Sequence, residues 1–159
     1  MREYGTLDDA LADVLNLSEA MSYKNALCGI NFGGGKSVIV GDSERVAGRA
    51  ELFEWFGRCV QSLGGRYITA EDMGTSVSDM SLISKQTSYV AGRDPKSGGG
   101  GDPSPFTAIG VFEGMRACLE RVFGSGDVRG RSVAIQGVGH VGMYLVKLLA
   151  EAGAKLTIC

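Results

Sequence analysis

The chain has 159 residues, of which 44% are hydrophobic and 21% charged, and its net charge is −2 at pH 7. This length suits one domain or two partial ones, and the balanced charge gives no reason to expect nucleic acid or a membrane surface as a partner. No apolar run approaches the roughly 18–20 residues that cross a bilayer, and the N-terminus lacks a signal peptide's apolar core. We therefore expect a cytoplasmic α/β protein.

The four cysteines lie far apart in the chain, and no two of them form a CxxC pair. Only one histidine, His140, could join them in a metal site. Zinc sites need several such ligands at short spacing, so we expect no metal. The cysteines are interpreted as buried or free thiols in a reducing compartment.

A first helix is predicted after Thr6, whose side chain can cap it. Asp8 and Asp9 would then lie in the first turn, where the helix dipole favours negative charge. Apolar residues recur at helical spacing beyond this point, so we expect the helix to end between Ala20 and Lys24.

A glycine-rich turn, residues 31–37, follows this helix and leads into a short apolar strand at 38–40. Its three consecutive glycines allow a close backbone approach and φ values that other residues resist. Lys36 is the only charged residue between Lys24 and Asp42, and burial in this turn would lower its pKa. From this stretch alone, a reactive lysine and a solvated lysine in an ordinary turn are equally open.

A second helix is predicted from a cap at Ser43 to the glycine pair 64–65, with an apolar stripe facing the core. A strand at 66–70 follows, and Glu71 and Asp72 lie in the loop at its end. A pair of acids at a strand terminus is placed for chemistry, although turns also use acids routinely.

A short helix is expected at 77–86, followed by an irregular segment at 93–105. That segment combines four glycines with two prolines, which is typical of an interdomain connection or of a loop facing a substrate. Ser104 is predicted to cap a helix that runs from Phe106 to about Phe123, with Pro105 in its first turn.

The last segment predicts a dinucleotide-binding unit. A strand at 131–136 is followed by Gly-x-Gly-x-x-Gly at 137–142, a helix through Leu149 and a second strand at 155–159. Glycines in this context allow a tight turn, and the free N–H groups of the helix N-terminus favour a pyrophosphate.

The same unit predicts that the sequence is a fragment. The acid that binds the ribose hydroxyls, and that distinguishes NAD from NADP, is expected roughly 20 residues beyond the glycine motif, which is past Cys159. One βαβ unit also cannot complete a doubly wound sheet. We expect a partial substrate-binding domain at 1–104, with a dimerisation-type sheet, and the start of a Rossmann-type NAD-binding domain at 105–159.

Three functions are compatible with these motifs. The first is a nicotinamide-dependent oxidoreductase, and the second is a cofactor-binding fragment without activity of its own. The third, a P-loop NTPase, requires a glycine five positions before Gly35, where Ile30 stands, and a helix after Lys36, where a strand is predicted. We therefore reject the P-loop.

Five segments, in the same order and at the same spacing, resemble those of the glutamate, leucine, phenylalanine and valine dehydrogenases, with the leucine dehydrogenase branch most similar. These segments are residues 22–26, 33–36, 65–75, 102–108 and 137–139. The resemblance implies reversible oxidative deamination of an L-amino acid, leucine or another branched-chain one, to a 2-oxo acid and ammonia. Glutamate, phenylalanine or valine specificity remains an alternative.

The resemblance also implies roles for individual residues of the substrate domain. Lys24 resembles the lysine that binds the substrate carboxylate, and Ala70 a small residue beside the substrate pocket. Lys36 resembles the catalytic lysine, which assists water attack on the iminium intermediate, and Asp72 the acid that exchanges protons with the amino group. We expect the pKa of Lys36 to be lower than that of a free lysine, because the residue is buried in the turn and lies near the positive charge of Lys24.

The resemblance implies NAD as the cofactor and a homo-oligomer as the assembly. Thr107 resembles a residue that contacts the nicotinamide end of the cofactor. The pyrophosphate turn would be formed by Gly137, Gly139 and Gly142. His140 departs from the family pattern, and its place after the second glycine favours a role at the helix start over a catalytic one.

Overall fold

The computed structural model describes all 159 residues, which form two units, Met1–Asp102 and Pro103–Cys159. Each unit has a hydrophobic core of its own. None of the helices combines the length and the apolar character needed to cross a membrane.

Helix α1 spans Leu7–Leu27 and begins at the predicted cap. The Thr6 hydroxyl accepts a hydrogen bond from the Asp9 backbone N–H (3.1 Å), and the Asp9 carboxylate accepts one from the Thr6 N–H (3.0 Å). This reciprocal pair satisfies two N–H groups that a helix start leaves unpaired. The helix ends three residues later than predicted, with Lys24 in its last turn.

Helix α2 spans Arg49–Ser62 and starts later than the predicted cap at Ser43. Its N-cap is Gly48, with a φ of 66° and no capping side chain. Ser43 instead contacts the helix from outside, because the Arg49 guanidinium donates to the Ser43 carbonyl oxygen (2.7 Å).

Helix α3 spans Val77–Ser84 and packs against α2. Ser76 caps it in a second reciprocal pair, with Asp79. The two helices approach closely at Gly57, where an added Cβ would lie 2.9 Å from the Ile83 carbonyl oxygen. The buried core of this unit consists of Phe53, Met80, Ile83 and Val90.

The strands predicted in the first unit are extended segments rather than members of a sheet. Isolated parallel bridges join Arg2 to Val40 and Thr69 to Val90, and no ladder continues from either bridge. Each extended segment has a neighbour over one residue only, whereas a strand needs several consecutive paired residues. In place of the sheet that the sequence predicts for residues 1–104, this unit therefore contains two isolated bridges.

The second unit contains the helix α4 and a βαβ arrangement. The elements are α4 (Ser104–Phe123), β1 (Ser132–Ile135), α5 (His140–Glu151) and β2 (Lys155–Ile158). The two strands pair in parallel, from Ser132 opposite Lys155 to Ile135 opposite Ile158, and α5 connects them. α4 starts two residues earlier than the predicted Phe106, and its N-cap is Pro103 and not Ser104. The chain as a whole is therefore a mixed α/β structure with one small parallel sheet.

Candidate functional site

The glycine-rich turn packs directly on α1. The Gly34 N–H donates to the Ser22 hydroxyl (2.9 Å), and the Asn25 amide donates to the Gly33 carbonyl (3.0 Å). A Cβ at Gly34 would lie 2.5 Å from the Ser22 backbone nitrogen and would collide with the Ser18 carbonyl. None of the three glycines has a positive φ, so the expectation of unusual φ values is wrong here. The turn requires glycine because of this close approach.

Lys36 follows the turn with a side chain that is 20% exposed. Both residues next to Lys36 in the chain contact Tyr67. The Gly35 backbone packs on the Tyr67 ring, and the Ser37 and Tyr67 hydroxyls are hydrogen-bonded (2.8 Å). Burial lowers the pKa of Lys36 from its ordinary value of 10.5, and the charge of Lys24 lowers it further. The Asp13 carboxylate partly offsets both effects.

Asp72 meets Lys36 through one carboxylate oxygen, Oδ2, which accepts a hydrogen bond from Nζ. The other oxygen, Oδ1, accepts from the Met73 N–H (2.7 Å). A tight turn holds the residue, because the Thr75 N–H donates to the Asp72 carbonyl (2.9 Å) and the Asp72 N–H donates to the Thr75 hydroxyl (2.9 Å). An amine and an acid are thus placed together for proton exchange, and the acid is 58% exposed.

Lys24 and Ala70 belong to the same unit. Lys24 is exposed on the last turn of α1, and its charge is close enough to lower the pKa of Lys36. Ala70 is exposed and follows Thr69, which is buried and bridged to Val90.

A cavity of about 470 Å³ lies beside the lysine turn. Residues 35–37 form one wall, and apolar side chains of α2 and its C-cap, among them Phe56, Val60 and Leu63, form another. Lys36 therefore has open space on one side and Asp72 as an ionic partner.

In the second unit, Gly137 and Gly139 lie in the turn between β1 and α5, and Gly142 lies in the first turn of α5. Gly137 has a φ of 81°, which favours glycine, and an added Cβ at Gly142 would collide with the Gly137 carbonyl. Gly139 is the N-cap of α5 and provides no capping side chain. The first N–H groups of α5 are therefore not covered by a capping side chain, and the turn fits a pyrophosphate.

Thr107 and His140 lie at the starts of the two helices of this unit. The Thr107 hydroxyl donates to the Pro103 carbonyl (3.1 Å) within the first turn of α4, and its side chain is exposed. His140 is exposed and is the first residue of α5, the position that the sequence favoured for it.

An ion pair between Arg49 and Asp79 was not identified from the sequence. Two hydrogen bonds join them, from Nε to Oδ1 (2.9 Å) and from Nη2 to Oδ2 (2.7 Å). Burial alone raises the pKa of Asp79, but hydrogen bonds from Arg49 and Ser76 outweigh it and hold the pKa below its usual value. The Ser-x-x-Asp pattern at 76–79, which is typical of a helix cap, could have identified Asp79 but not its partner Arg49.

The cysteines are all free thiols. Cys28, Cys118 and Cys159 are exposed and Cys59 is partly buried, so the alternative of buried thiols is wrong for three of them.

Two family models match the chain. The model described as "Glu/Leu/Phe/Val dehydrogenase, dimerisation domain" matches residues 1–89, and "Glutamate/Leucine/Phenylalanine/Valine dehydrogenase" matches residues 98–159.

Curated relatives agree with both models. A valine dehydrogenase of Streptomyces virginiae is 52% identical over 98% of this chain and 43% of its own length. A leucine dehydrogenase of Geobacillus stearothermophilus is 50% identical over 98% of this chain and 42% of its own length. The chain thus spans less than half the length of these relatives.

Solved structures with similar folds belong to the same class of enzyme. L-tryptophan dehydrogenase from Nostoc punctiforme matches 99% of this chain and 44% of its own, with a TM-score of 0.66 and 37% identity. A hetero-hexameric glutamate dehydrogenase from Thermus thermophilus (Leu bound form) matches 99% of this chain and 40% of its own, with a TM-score of 0.78. At 22% identity, the second likeness concerns the fold alone. The resemblance seen in the sequence is confirmed, and the chain belongs to the Glu/Leu/Phe/Val dehydrogenase family.

Proposed function

We propose that this chain carries the catalytic lysine, the catalytic acid and the first cofactor-binding turn of an NAD-dependent amino-acid dehydrogenase. The reaction is the reversible oxidative deamination of an L-amino acid to a 2-oxo acid and ammonia. The contact between Lys36 and Asp72 is the observation that supports this most directly, because it brings an amine of lowered pKa to an exposed carboxylate. The named activities of the relatives favour leucine or another branched-chain substrate.

Lys24 binds and orients the substrate in this proposal. Its exposed ammonium is free to form a charge-assisted hydrogen bond with the substrate carboxylate. Ala70, exposed two residues before Asp72, leaves room for an aliphatic side chain. Fixing both ends of the substrate orients its amino-bearing carbon toward the two catalytic groups.

Lys36 and Asp72 move the protons. Asp72 exchanges a proton with the substrate's amino group through its exposed carboxylate. Lys36 assists the attack of water on the iminium carbon and stabilises the oxygen of the resulting carbinolamine. Its lowered pKa, caused by burial and by Lys24, brings the lysine closer to the pH at which it must gain and lose a proton.

The second unit holds the cofactor. When bound, NAD would supply the hydride acceptor. Gly137, Gly139 and Gly142 would hold its pyrophosphate at the open N-terminus of α5, and Thr107 would contact its nicotinamide end. The parallel β1–α5–β2 arrangement supports a Rossmann-type unit.

We also propose that the protein assembles as a homo-oligomer. The matched domain is described as a dimerisation domain, and α1 exposes several leucines that a partner copy could cover. Leu7, Leu11 and Leu15 are 78%, 55% and 59% exposed.

A chimeric enzyme tests the catalytic proposal. This chain would replace the matching 42% of the Geobacillus stearothermophilus leucine dehydrogenase, and NADH formation would be followed by its absorbance with leucine, valine, phenylalanine or glutamate. We expect turnover of leucine and valine. A folded chimera without any amino-acid-dependent NADH formation would overturn the proposal.

A cofactor-binding fragment without activity is the second candidate, because the chain covers under half of its relatives. NADH titrated into the 159-residue chain should move the amide NMR signals of Gly137, Gly139 and Gly142, whereas ATP should move them little. Binding of ATP without any binding of NADH would contradict both candidates.

A further inference from the structure

Arg49 occupies a position that helix electrostatics disfavours. It is the first residue of α2, whose N-terminus carries the positive end of the helix dipole. Its N-cap, Gly48, provides no side chain that could offset the charge. Glu51 is the one acidic residue of its own first turn, and further contacts hold Arg49 from beyond that turn.

Three chain segments provide those contacts. The Arg49 guanidinium donates to both carboxylate oxygens of Asp79 (2.9 and 2.7 Å), to the Ser43 carbonyl (2.7 Å) and to the Gly74 carbonyl (3.0 Å). Its Cζ also lies 5.0 Å from the centroid of the Phe53 ring. The planar guanidinium thus joins the start of α2 to two loops and to α3.

Asp79 makes this anchor rigid. It is 2% exposed, and its Oδ2 also accepts hydrogen bonds from the Ser76 N–H (2.8 Å) and the Ser76 hydroxyl (2.9 Å). The carboxylate that holds Arg49 is therefore itself fixed at the N-terminus of α3.

Gly74 belongs to the turn that carries Asp72. Its φ of 74° reverses the chain there, and Thr75 closes the turn onto Asp72. The hydrogen bond from Arg49 to the Gly74 carbonyl therefore ties the Asp72 turn to the start of α2.

We propose that Arg49 is a positioning residue that, through the Gly74 carbonyl, holds the Asp72 turn against Lys36. The catalytic meaning of this contact rests on the function proposed above, whereas the contact itself does not. Arginine suits this position because its five donors in a fixed fork serve four acceptor atoms, namely both Asp79 oxygens and the Ser43 and Gly74 carbonyls, whereas a lysine ammonium has only three donors.

The test measures Lys36 in the 159-residue chain. Lysines are labelled with an amine-reactive reagent across a pH series, and mass spectrometry gives the labelling rate of Lys36 relative to the exposed Lys155. The variant is Arg49→Met, which keeps an unbranched stem over Phe53. Arg45→Met is the matched control, because Arg45 is 88% exposed and pairs only with its neighbour Asp42.

Without the Arg49–Gly74 hydrogen bond, the Asp72 turn should move and the ion pair between Asp72 and Lys36 should be lost. An opposite charge favours the ammonium form, so losing it should move the pH midpoint of Lys36 labelling downward and raise its rate below the midpoint by about threefold to tenfold. Lys24 and Asp13, whose charges also act on Lys36, are unchanged in the variant, whereas the pKa of the Met1 amino group, which Arg49 lowers, should rise. Lys155, and Lys36 in the Arg45 control, should label as in the wild type.

The double variant Arg49→Met/Asp79→Asn separates positioning from folding. Arg49→Met alone leaves a buried, unpaired carboxylate, which is destabilising, whereas the added Asp79→Asn change removes that charge and still offers an amide oxygen to Ser76. We expect the double variant to be more stable than the single one and to keep the shifted Lys36 midpoint. A wild-type midpoint in the folded double variant would overturn the proposal. An inactive chimera with a shifted midpoint would count against the dehydrogenase and not against this tether.

Discussion

Lys36 and Asp72 are 36 residues apart in the chain, and the Lys36 ammonium donates directly to the Asp72 carboxylate. The lysine comes from a glycine turn packed on α1, and the aspartate comes from a turn anchored to α2 and α3. Two independently supported loops therefore define the distance between the proposed catalytic groups.

Replacing Lys36 with alanine in the chimera should remove turnover and leave NADH binding intact, because the lysine acts on the substrate and not on the cofactor turn. General acid–base groups contribute about 10²–10⁴-fold, so kcat should fall by at least that factor. Steady-state kinetics and NADH titration measure the two effects. Lys85→Ala is the control, since Lys85 pairs with Glu54 on the surface. Near-normal turnover would refute the assignment of Lys36.

Asp72→Asn should lower kcat by about 10²–10⁴-fold while KM changes little, because the amide keeps the shape of the side chain but cannot take up a proton. The Met73 N–H still finds an acceptor in the amide oxygen, so the turn should persist. The measurement is a kcat and KM comparison over a pH series. A change confined to KM would instead make Asp72 a substrate-binding residue.

Lys24→Ala should chiefly weaken substrate binding. A charge-assisted hydrogen bond to the substrate carboxylate is lost, so KM should rise about tenfold or more, with a smaller effect on kcat. Removal of this positive charge should also raise the pKa of Lys36, since Lys24 helps to lower it. The pH profile of kcat in the chimera reports the second effect. An unchanged KM would argue against the role of Lys24.

Gly34→Ala should destabilise the first unit far more than Gly33→Ala. A Cβ at Gly34 meets the backbone of Ser18 and Ser22, which cannot move without distorting α1, whereas a Cβ at Gly33 meets nothing within 4 Å. Overpacking typically costs about 1–3 kcal/mol, and contact with a helix backbone should lie at the upper end. Urea unfolding of the two variants gives the difference directly. Equal stabilities would show that the turn can move away from the helix.

Asp79→Asn tests the contribution of the buried carboxylate in acid. The pKa of Asp79 in the folded protein is below the usual 3.8, so its stabilisation is complete above that pH and is lost as the pH falls through the lower folded value. We expect the wild type to be more stable than the variant near neutral pH and the difference to shrink below pH 3.8. Urea unfolding at several pH values measures it. A difference that does not depend on pH would contradict this account.

Local chemistry is what the sequence by itself determined. Thr6 caps α1 through hydrogen bonds to a residue three positions away, and the strand–glycine–helix order gives the parallel pair β1–β2. The family also followed from motifs in register, which need no contacts to be recognised.

Contacts between distant segments were decided only by the tertiary structure. The N-cap of α2 is Gly48 and not the predicted Ser43, and the first helical residue, Arg49, is bound by Asp79, 30 residues later in the chain. The glycine segment at 31–37 needs glycine because Gly34 touches α1 and not because of its φ angles. Lys36 was a candidate from the start, whereas its ion pair with Asp72 depends on how two loops pack, and no local pattern encodes that distance.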